Sequence, residues 1–315
     1  MPRGPVSVLL YHPDEASKYA RLVRAPLNRI RLHVASTREE AELHLAEAEV
    51  LYAWGFPVEL LPRARRLRWV QAMGAGVDRF LAAPLPPEVK LTRAPGVFGP
   101  WMAEYTLGWL LWVTQRMETV RQAQQARRWA PFEADRLHGR TLGILGAGSI
   151  GRAIARAAKG FGMRATGVTR SGRRVAGLDR VYRPGALRAF LREADWVVVV
   201  LPLTPETRGI IGEPELRAMK PSAWLVNIGR GPLVDEAALI RALTERWIGG
   251  AILDVFPKEP LPPEHPLWGL PNVVVTPHIA GPSSPEEIAP IFNANLRRYL
   301  AGRRLVGLVD RRRGY

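Results

Sequence analysis

Cysteine is absent from the 315 residues, which excludes disulfides and thiolate metal sites. The six histidines are scattered, with no helical ligand pair accompanied by a carboxylate, so no metal is expected. Long apolar runs are missing too. Residues 196–201 fit a buried parallel strand and fall far short of a membrane span. Residues 6–11 are too short for the apolar core of a secretory signal. Cytoplasmic residence without a membrane partner is therefore the expectation. Lysine is scarce, with only Lys18, Lys90, Lys159, Lys220 and Lys258, so the formal charge of +16 comes almost wholly from arginine. Those arginines are spread along the chain and form no basic arm, recognition helix or aromatic-studded nucleic-acid-binding strand, so no nucleic-acid partner is expected. A positive field of this kind favours small anionic ligands instead.

Glycine is where the sequence becomes specific. Thr141-Leu142-Gly143-Ile144-Leu145 reads as a buried strand and runs into Gly146-Ala147-Gly148-Ser149-Ile150-Gly151, then into a helical stretch over 152–161. A Gly-x-Gly-x-x-Gly alone is weak, but here a strand precedes it, a helix follows, and a second strand is expected over 164–169. Gly146 suits the tight turn, Gly148 the close approach of a pyrophosphate, and Gly151 the packing of helix on strand. Helix N-terminal amides at Ser149 and Ile150 then face the phosphates.

One further absence selects among dinucleotides. NAD-binding versions carry Asp or Glu near the end of the second strand, for the ribose 2′-hydroxyl. This chain instead reads Gly167-Val168-Thr169-Arg170-Ser171-Gly172-Arg173-Arg174. Thr169 and Ser171 with Arg170 and Arg173 suit a 2′-phosphate through charge-assisted hydrogen bonds. The cofactor expected is NADP(H), with NAD(H) as a weaker substitute.

Three residues of the C-terminal half carry the chemistry. Arg230, Glu259 and His278 each lie in a turn-rich stretch following a strand-like run, at 225–229, 252–256 and 273–277 respectively. Taken singly each is an ordinary loop residue. In an open parallel sheet, however, ligands bind beyond the carboxyl ends of the strands, where all three converge. A guanidinium fork matches a carboxylate and its neighbouring keto oxygen. A histidine protonates a carbonyl that receives hydride, and a glutamate holds that histidine protonated.

Segments spread over nearly the whole chain resemble the D-isomer-specific 2-hydroxyacid dehydrogenase family, most closely its glyoxylate/hydroxypyruvate reductase A type. They are Leu10-Tyr11-His12-Pro13, Gly74-Ala75-Gly76-Val77-Asp78, Leu201-Pro202-Leu203-Thr204-Pro205-Glu206-Thr207, Asn227-Ile228-Gly229-Arg230-Gly231, Leu253-Asp254-Val255-Phe256, Glu259-Pro260-Leu261-Pro262, Thr276-Pro277-His278-Ile279-Ala280 and Val309-Asp310-Arg311-Arg312-Arg313-Gly314-Tyr315. The resemblance implies His278 as general acid/base, Glu259 as its partner, Arg230 as substrate orienter and Asp254 beside the nicotinamide. It places Leu201, Pro202, Thr207 and Ile228 among the cofactor contacts. Backbone amides around Gly74, Ala75 and Gly76 would cradle the substrate carboxylate, with Trp54 lining the pocket. Relatives are typically homodimers built on the cofactor domain, which puts Trp129 near such an interface.

The fold expected is α/β, two Rossmann-like or flavodoxin-like doubly wound parallel-sheet domains with a cleft between them. Residues 1–97 and 282–315 are assigned to a discontinuous substrate-binding domain and 98–281 to the dinucleotide-binding domain, with a long helix over 102–116 crossing into the latter. Reduction of a small 2-keto acid, glyoxylate or hydroxypyruvate, is the expected activity. Two alternatives stay open at this stage. One is a bulkier 2-keto acid, with pocket size set by loop residues including Trp54, Phe98 and Trp101. The other is a non-catalytic dinucleotide-sensing protein.

Overall fold

A computed structural model describes residues 4–25 and 28–314 of the chain. Contacts divide the chain into two units, Met1–Val97 with Ser283–Tyr315, and Phe98–Pro282. Each is an α/β unit built on a parallel sheet.

The first unit contains strands β1 (Val6–Tyr11), β2 (Ile30–Ala35), β3 (Val50–Ala53), β4 (Trp69–Ala72) and β5 (Lys90–Thr92). They pair in the order β2-β1-β3-β4-β5, every pairing parallel. Helices α1 (Ala16–Leu22), α2 (Arg38–Leu45) and α3 (Asp78–Ala82) belong to the connections. All residues of β3 and β4 are buried, which is why these strands read as unbroken rather than alternating runs. A capping box starts α2: the Thr37 hydroxyl accepts from the Glu40 amide while the Glu40 carboxylate accepts from that of Thr37.

The C-terminal helix, Pro285–Leu300, returns to this unit. Its Phe292 ring stacks on Tyr52 at 4.0 Å between centroids. Beside it, fully buried Asn295 donates to Gln71 Oε1 and to the Val306 carbonyl, and accepts from the Val306 amide. The tail beyond the helix then bridges β5 antiparallel at Thr92 and Leu308, covering an edge otherwise open to a further strand. Asn295→Ala removes three hydrogen bonds, to Gln71 Oε1 and to both Val306 backbone groups. Each such bond contributes about 0.5–1.5 kcal/mol, so the variant should unfold at distinctly lower denaturant; an unchanged midpoint would contradict this.

The second unit has helices α4 (Phe98–Thr114), α5 (Met117–Gln125), α6 (Ser149–Gly160), α7 (Leu187–Glu193), α8 (Glu213–Leu216) and α9 (Glu236–Thr244). Its strands are β6 (Thr141–Leu145), β7 (Arg164–Val168), β8 (Arg180–Tyr182), β9 (Trp196–Val199), β10 (Trp224–Asn227), β11 (Gly250–Leu253) and β12 (Val273–Val275). The sheet order is β12-β11-β10-β9-β6-β7-β8, all parallel. Chain direction across the sheet reverses between β6 and β9, and the carboxyl ends flanking that point form the crevice of a doubly wound sheet. Among the described residues no helix is long and apolar enough to cross a membrane.

Two differences from the sequence reading have physical causes. The strand-like runs at 225–229, 252–256 and 273–277 extend beyond the strands, which end at Asn227, Leu253 and Val275. Ile228, Val255 and Phe256 are apolar because the turns after the strands are buried as well. Phe98 and Trp101 are not loop residues: both lie in the first turn of α4, which begins four residues before the expected helix over 102–116. Pro100 is tolerated there because the first-turn amides have no intrahelical partner to lose. Phe98 is 5% exposed, a core side chain rather than a loop determinant of pocket size.

Candidate active site

Strand order alone gathers the three C-terminal residues. β10, β11 and β12 are neighbours and parallel, so the turns that follow them emerge at one edge of the sheet. Arg230 lies three residues past β10, Glu259 six past β11 and His278 three past β12.

Backbone packing brings these turns closer still. A side chain at Gly231 would overlap the Phe256–Pro257 peptide, so only glycine lets the Arg230 turn press against the Glu259 loop. The Arg230 carbonyl accepts from Asn227 Nδ2 at 3.0 Å and from the Leu233 amide at 3.1 Å. Its guanidinium donates to the Gly229 carbonyl at 2.7 Å. On the facing loop, the Phe256 amide donates to Glu259 Oε1 at 2.8 Å, leaving Oε2 for His278. The contact is direct: His278 Nδ1 lies 2.8 Å from Glu259 Oε2.

Electrostatics fix the charge of Glu259. Burial opposes ionisation of Glu259, but the His278 hydrogen bond, the Phe256 amide and the charges of His278 and Arg230 outweigh it. Its carboxyl ends below the usual glutamate value and is ionised at neutral pH. An ionised partner at Nδ1 selects the tautomer or imidazolium with hydrogen there, which leaves Nε2 for another partner. The His278 side chain retains 46% of its exposure, so a ligand has access to it.

His278 adopts φ +54°, unusual for a residue with a side chain. Asp254 holds it there. Its carbonyl accepts from the His278 amide at 2.9 Å. Its carboxylate accepts from the Thr276 hydroxyl (2.6 Å) and the Ile279 (2.8 Å) and Ala280 (2.9 Å) amides. Thr276, donating to Asp254, is left to accept from Tyr105 of α4 at 2.6 Å. Asp254 is 1% exposed, and these bonds make it the anchor of the His278 loop. The Thr276–Tyr105 contact leaves no signal in the sequence, since the two residues lie 171 apart.

At the switch point the glycine motif meets the other carboxyl ends. Gly146 has φ +111°, and a Cβ on it would fall 2.7 Å from the Val200 carbonyl, beside Leu201. Gly148 precedes α6 with open space around its Cα and provides no side-chain cap. The amides opening α6 at Ser149 and Ile150 are thus left for an anion. Gly151 packs on Ile144, where a Cβ would fall 2.9 Å from the isoleucine methyl. These features fit a dinucleotide pyrophosphate. Ile228 is buried next to Gly229, whose added Cβ would sit 3.1 Å from the Leu201 carbonyl, so these two segments flank the same crevice. Thr207 turns inward: its hydroxyl donates to the Pro202 carbonyl at 2.7 Å and accepts from the Thr204 amide at 2.8 Å, shaping the 202–207 loop. Past β7, the Thr169 hydroxyl accepts from the Gly172 amide at 3.1 Å and the Ser171 hydroxyl from that of Arg173 at 3.3 Å. Arg170 and Arg173 belong to the same turn.

In the first unit, Trp54 and Gly74 follow the adjacent strands β3 and β4. The indole lies over Gly74, where a Cβ would fall 2.7 Å from its ring. Half-buried Ala75 and Gly76 continue that turn.

This arrangement is that of a dinucleotide-dependent oxidoreductase with an acid–base pair beside a guanidinium. The NAD-binding domain of D-isomer-specific 2-hydroxyacid dehydrogenases matches residues 107–280. Glyoxylate/hydroxypyruvate reductase A of Yersinia enterocolitica is 33% identical over 98% of this chain and 100% of its own length. Among solved structures, a D-isomer-specific 2-hydroxyacid dehydrogenase family protein from Aeromonas salmonicida is 40% identical, with TM-score 0.90 over 98% of this chain and 99% of the other. An NADPH-dependent glyoxylate/hydroxypyruvate reductase from Sinorhizobium meliloti, solved with NADP and sulfate, is 30% identical with TM-score 0.89 over 99% and 100% of the two chains. The chain belongs to the D-isomer-specific 2-hydroxyacid dehydrogenase family. It is an enzyme of that NAD(P)-dependent class.

Proposed function

We propose that the enzyme reduces small 2-keto acids, glyoxylate and hydroxypyruvate foremost, with NADPH as the preferred reductant. The observation that carries this reading is the His278–Glu259 pair at 2.8 Å, on the turn next to Arg230. The bound cofactor supplies the hydride. Arg230 binds the keto acid through its carboxylate and keto oxygen, so the carbonyl carbon is presented in one orientation. His278 Nε2 gives its proton to the carbonyl oxygen as charge develops there, and Glu259 stabilises the imidazolium beforehand. Within the first unit by itself, the amides of Ala75 and Gly76, beside Gly74 beneath Trp54, are suited to a carboxylate. The Yersinia and Sinorhizobium relatives support glyoxylate and hydroxypyruvate as the substrates, and the latter supports NADPH. Cytoplasmic residence and a homodimer belong to the same reading; Trp129 is 96% exposed on the cofactor unit, where a second copy would cover it.

Initial rates of NADPH and NADH oxidation with glyoxylate and hydroxypyruvate test the reading directly. Faster turnover with NADPH is expected. Preference for NADH would overturn the cofactor assignment and keep the chemistry, whereas no turnover with either would overturn the substrate assignment. Glu259→Gln removes the carboxylate that holds His278 through Nδ1, and it should lower turnover while leaving NADPH affinity unchanged. Parental turnover by the variant would show that Glu259 does not act through His278.

A further inference from the structure

Arg183 was not marked by any motif, yet it lies across the turn that decides the cofactor. β7 and β8 pair with Val168 opposite Tyr182, and the Thr169 amide donates to the Tyr182 carbonyl at 3.0 Å. That register places Arg183, the residue after β8, alongside the start of the 169–173 turn. The turn itself is closed by the Thr169 hydroxyl, with Gly172 at φ +64°. A Cβ on Gly172 would overlap the stem of Arg183 and fall 2.9 Å from its Nε. Glycine at 172 therefore does two things. It permits the left-handed turn, and it leaves the bed in which the Arg183 side chain lies.

The charges around this turn are unequally engaged. Glu206 is held below the usual glutamate value by the Thr204 hydroxyl and its own amide, with a smaller contribution from Arg170, so Arg170 already faces an acid. Lys159 is paired with Asp179, and Arg180 with Glu193. Among the described residues Arg183 has no carboxylate within ion-pair distance, and its side chain lies along the turn at Gly172. A cation held beside a turn of hydroxyls and amides, with no internal counter-charge, matches a dianionic phosphate.

We propose that Arg183 is a specificity-determining residue for the cofactor, closing on the ribose 2′-phosphate from the β8 side while Arg170 and Ser171 meet it from the β7 side. The proposal rests on the NADP reading of this turn. It assigns that specificity to two strands rather than to the β7 turn alone.

The test is calorimetric titration of the full chain with 2′,5′-ADP and, separately, with 5′-AMP, in the parent, Arg183→Ala and Arg170→Ala proteins. Loss of a charge-assisted contact corresponds to about 10- to 100-fold in affinity. Arg183→Ala should lose that factor for 2′,5′-ADP and bind 5′-AMP as the parent does. Arg183→Lys should recover only part of the loss, since an ammonium lacks the planar fork. Steady-state kinetics should agree, with KM for NADPH raised and KM for NADH unchanged. If Arg183→Ala binds 2′,5′-ADP normally while Arg170→Ala does not, the role of Arg183 is overturned and the NADP reading stands. If the parent itself fails to prefer 2′,5′-ADP over 5′-AMP, the NADP reading fails and this proposal with it.

Discussion

His278→Ala is expected to lower turnover of glyoxylate or hydroxypyruvate by about 10²–10⁴-fold, the usual contribution of a positioned general acid. The expectation comes from geometry before chemistry. Nδ1 is committed to Glu259 at 2.8 Å, and the backbone is pinned on both sides of the residue by Asp254. The ring thus has little freedom to deliver its proton anywhere but from Nε2. Alanine at φ +54° also introduces local backbone cost, so a fall in activity by that variant alone has two explanations. His278→Asn separates them. Asparagine tolerates the left-handed region better than other non-glycine residues and has no group that donates a proton at neutral pH. Both variants should bind NADPH like the parent and turn over at the same depressed rate. Near-parental turnover by either would falsify the assignment of His278 as the proton donor. A depressed rate in alanine with recovery in asparagine would show that backbone conformation, not proton transfer, is what the residue supplies.

What could be read from the chain beforehand depended on whether the chemistry was local. The Gly146–Gly151 motif announces itself because a strand, a tight turn and a helix start are consecutive in sequence. Arg230, Glu259 and His278 were legible for a similar reason: each follows a buried strand, and parallel strands bring their carboxyl ends to one edge. The apolar runs overshoot the strands, because buried turns use the same residue types as buried strands. Phe98 and Trp101 fall in a helix rather than a loop because Pro100 is compatible with a first helical turn. Contacts between distant segments left no signal. The bonds from Thr276, Ile279 and Ala280 to the Asp254 carboxylate are contacts of this kind. Arg183 is one of many arginines in a chain of net charge +16, and only the pairing of β8 with β7 distinguishes it.

Arg230→Ala should lower kcat/KM for the keto acid by about 10²–10³-fold, the scale of removing one preorganised group that meets developing negative charge. The side chain can be removed without moving its backbone. Asn227 and Leu233 hold the Arg230 carbonyl, and Gly231 is wedged against Phe256 and Pro257 whatever stands at 230. How the loss divides between KM and kcat identifies what the guanidinium does. If it only collects the substrate carboxylate, KM rises and kcat is preserved, because ground state and transition state lose the same contact. If it also meets the keto oxygen as charge builds there, kcat falls as well, and that is the expected result. Arg230→Lys sharpens the distinction. A lysine restores a positive charge but not the planar pair of donors, so it should recover part of the binding and little of kcat. Full recovery by lysine would reduce the role of Arg230 to charge alone. Unchanged kcat/KM in the alanine variant would remove Arg230 from the reacting site altogether.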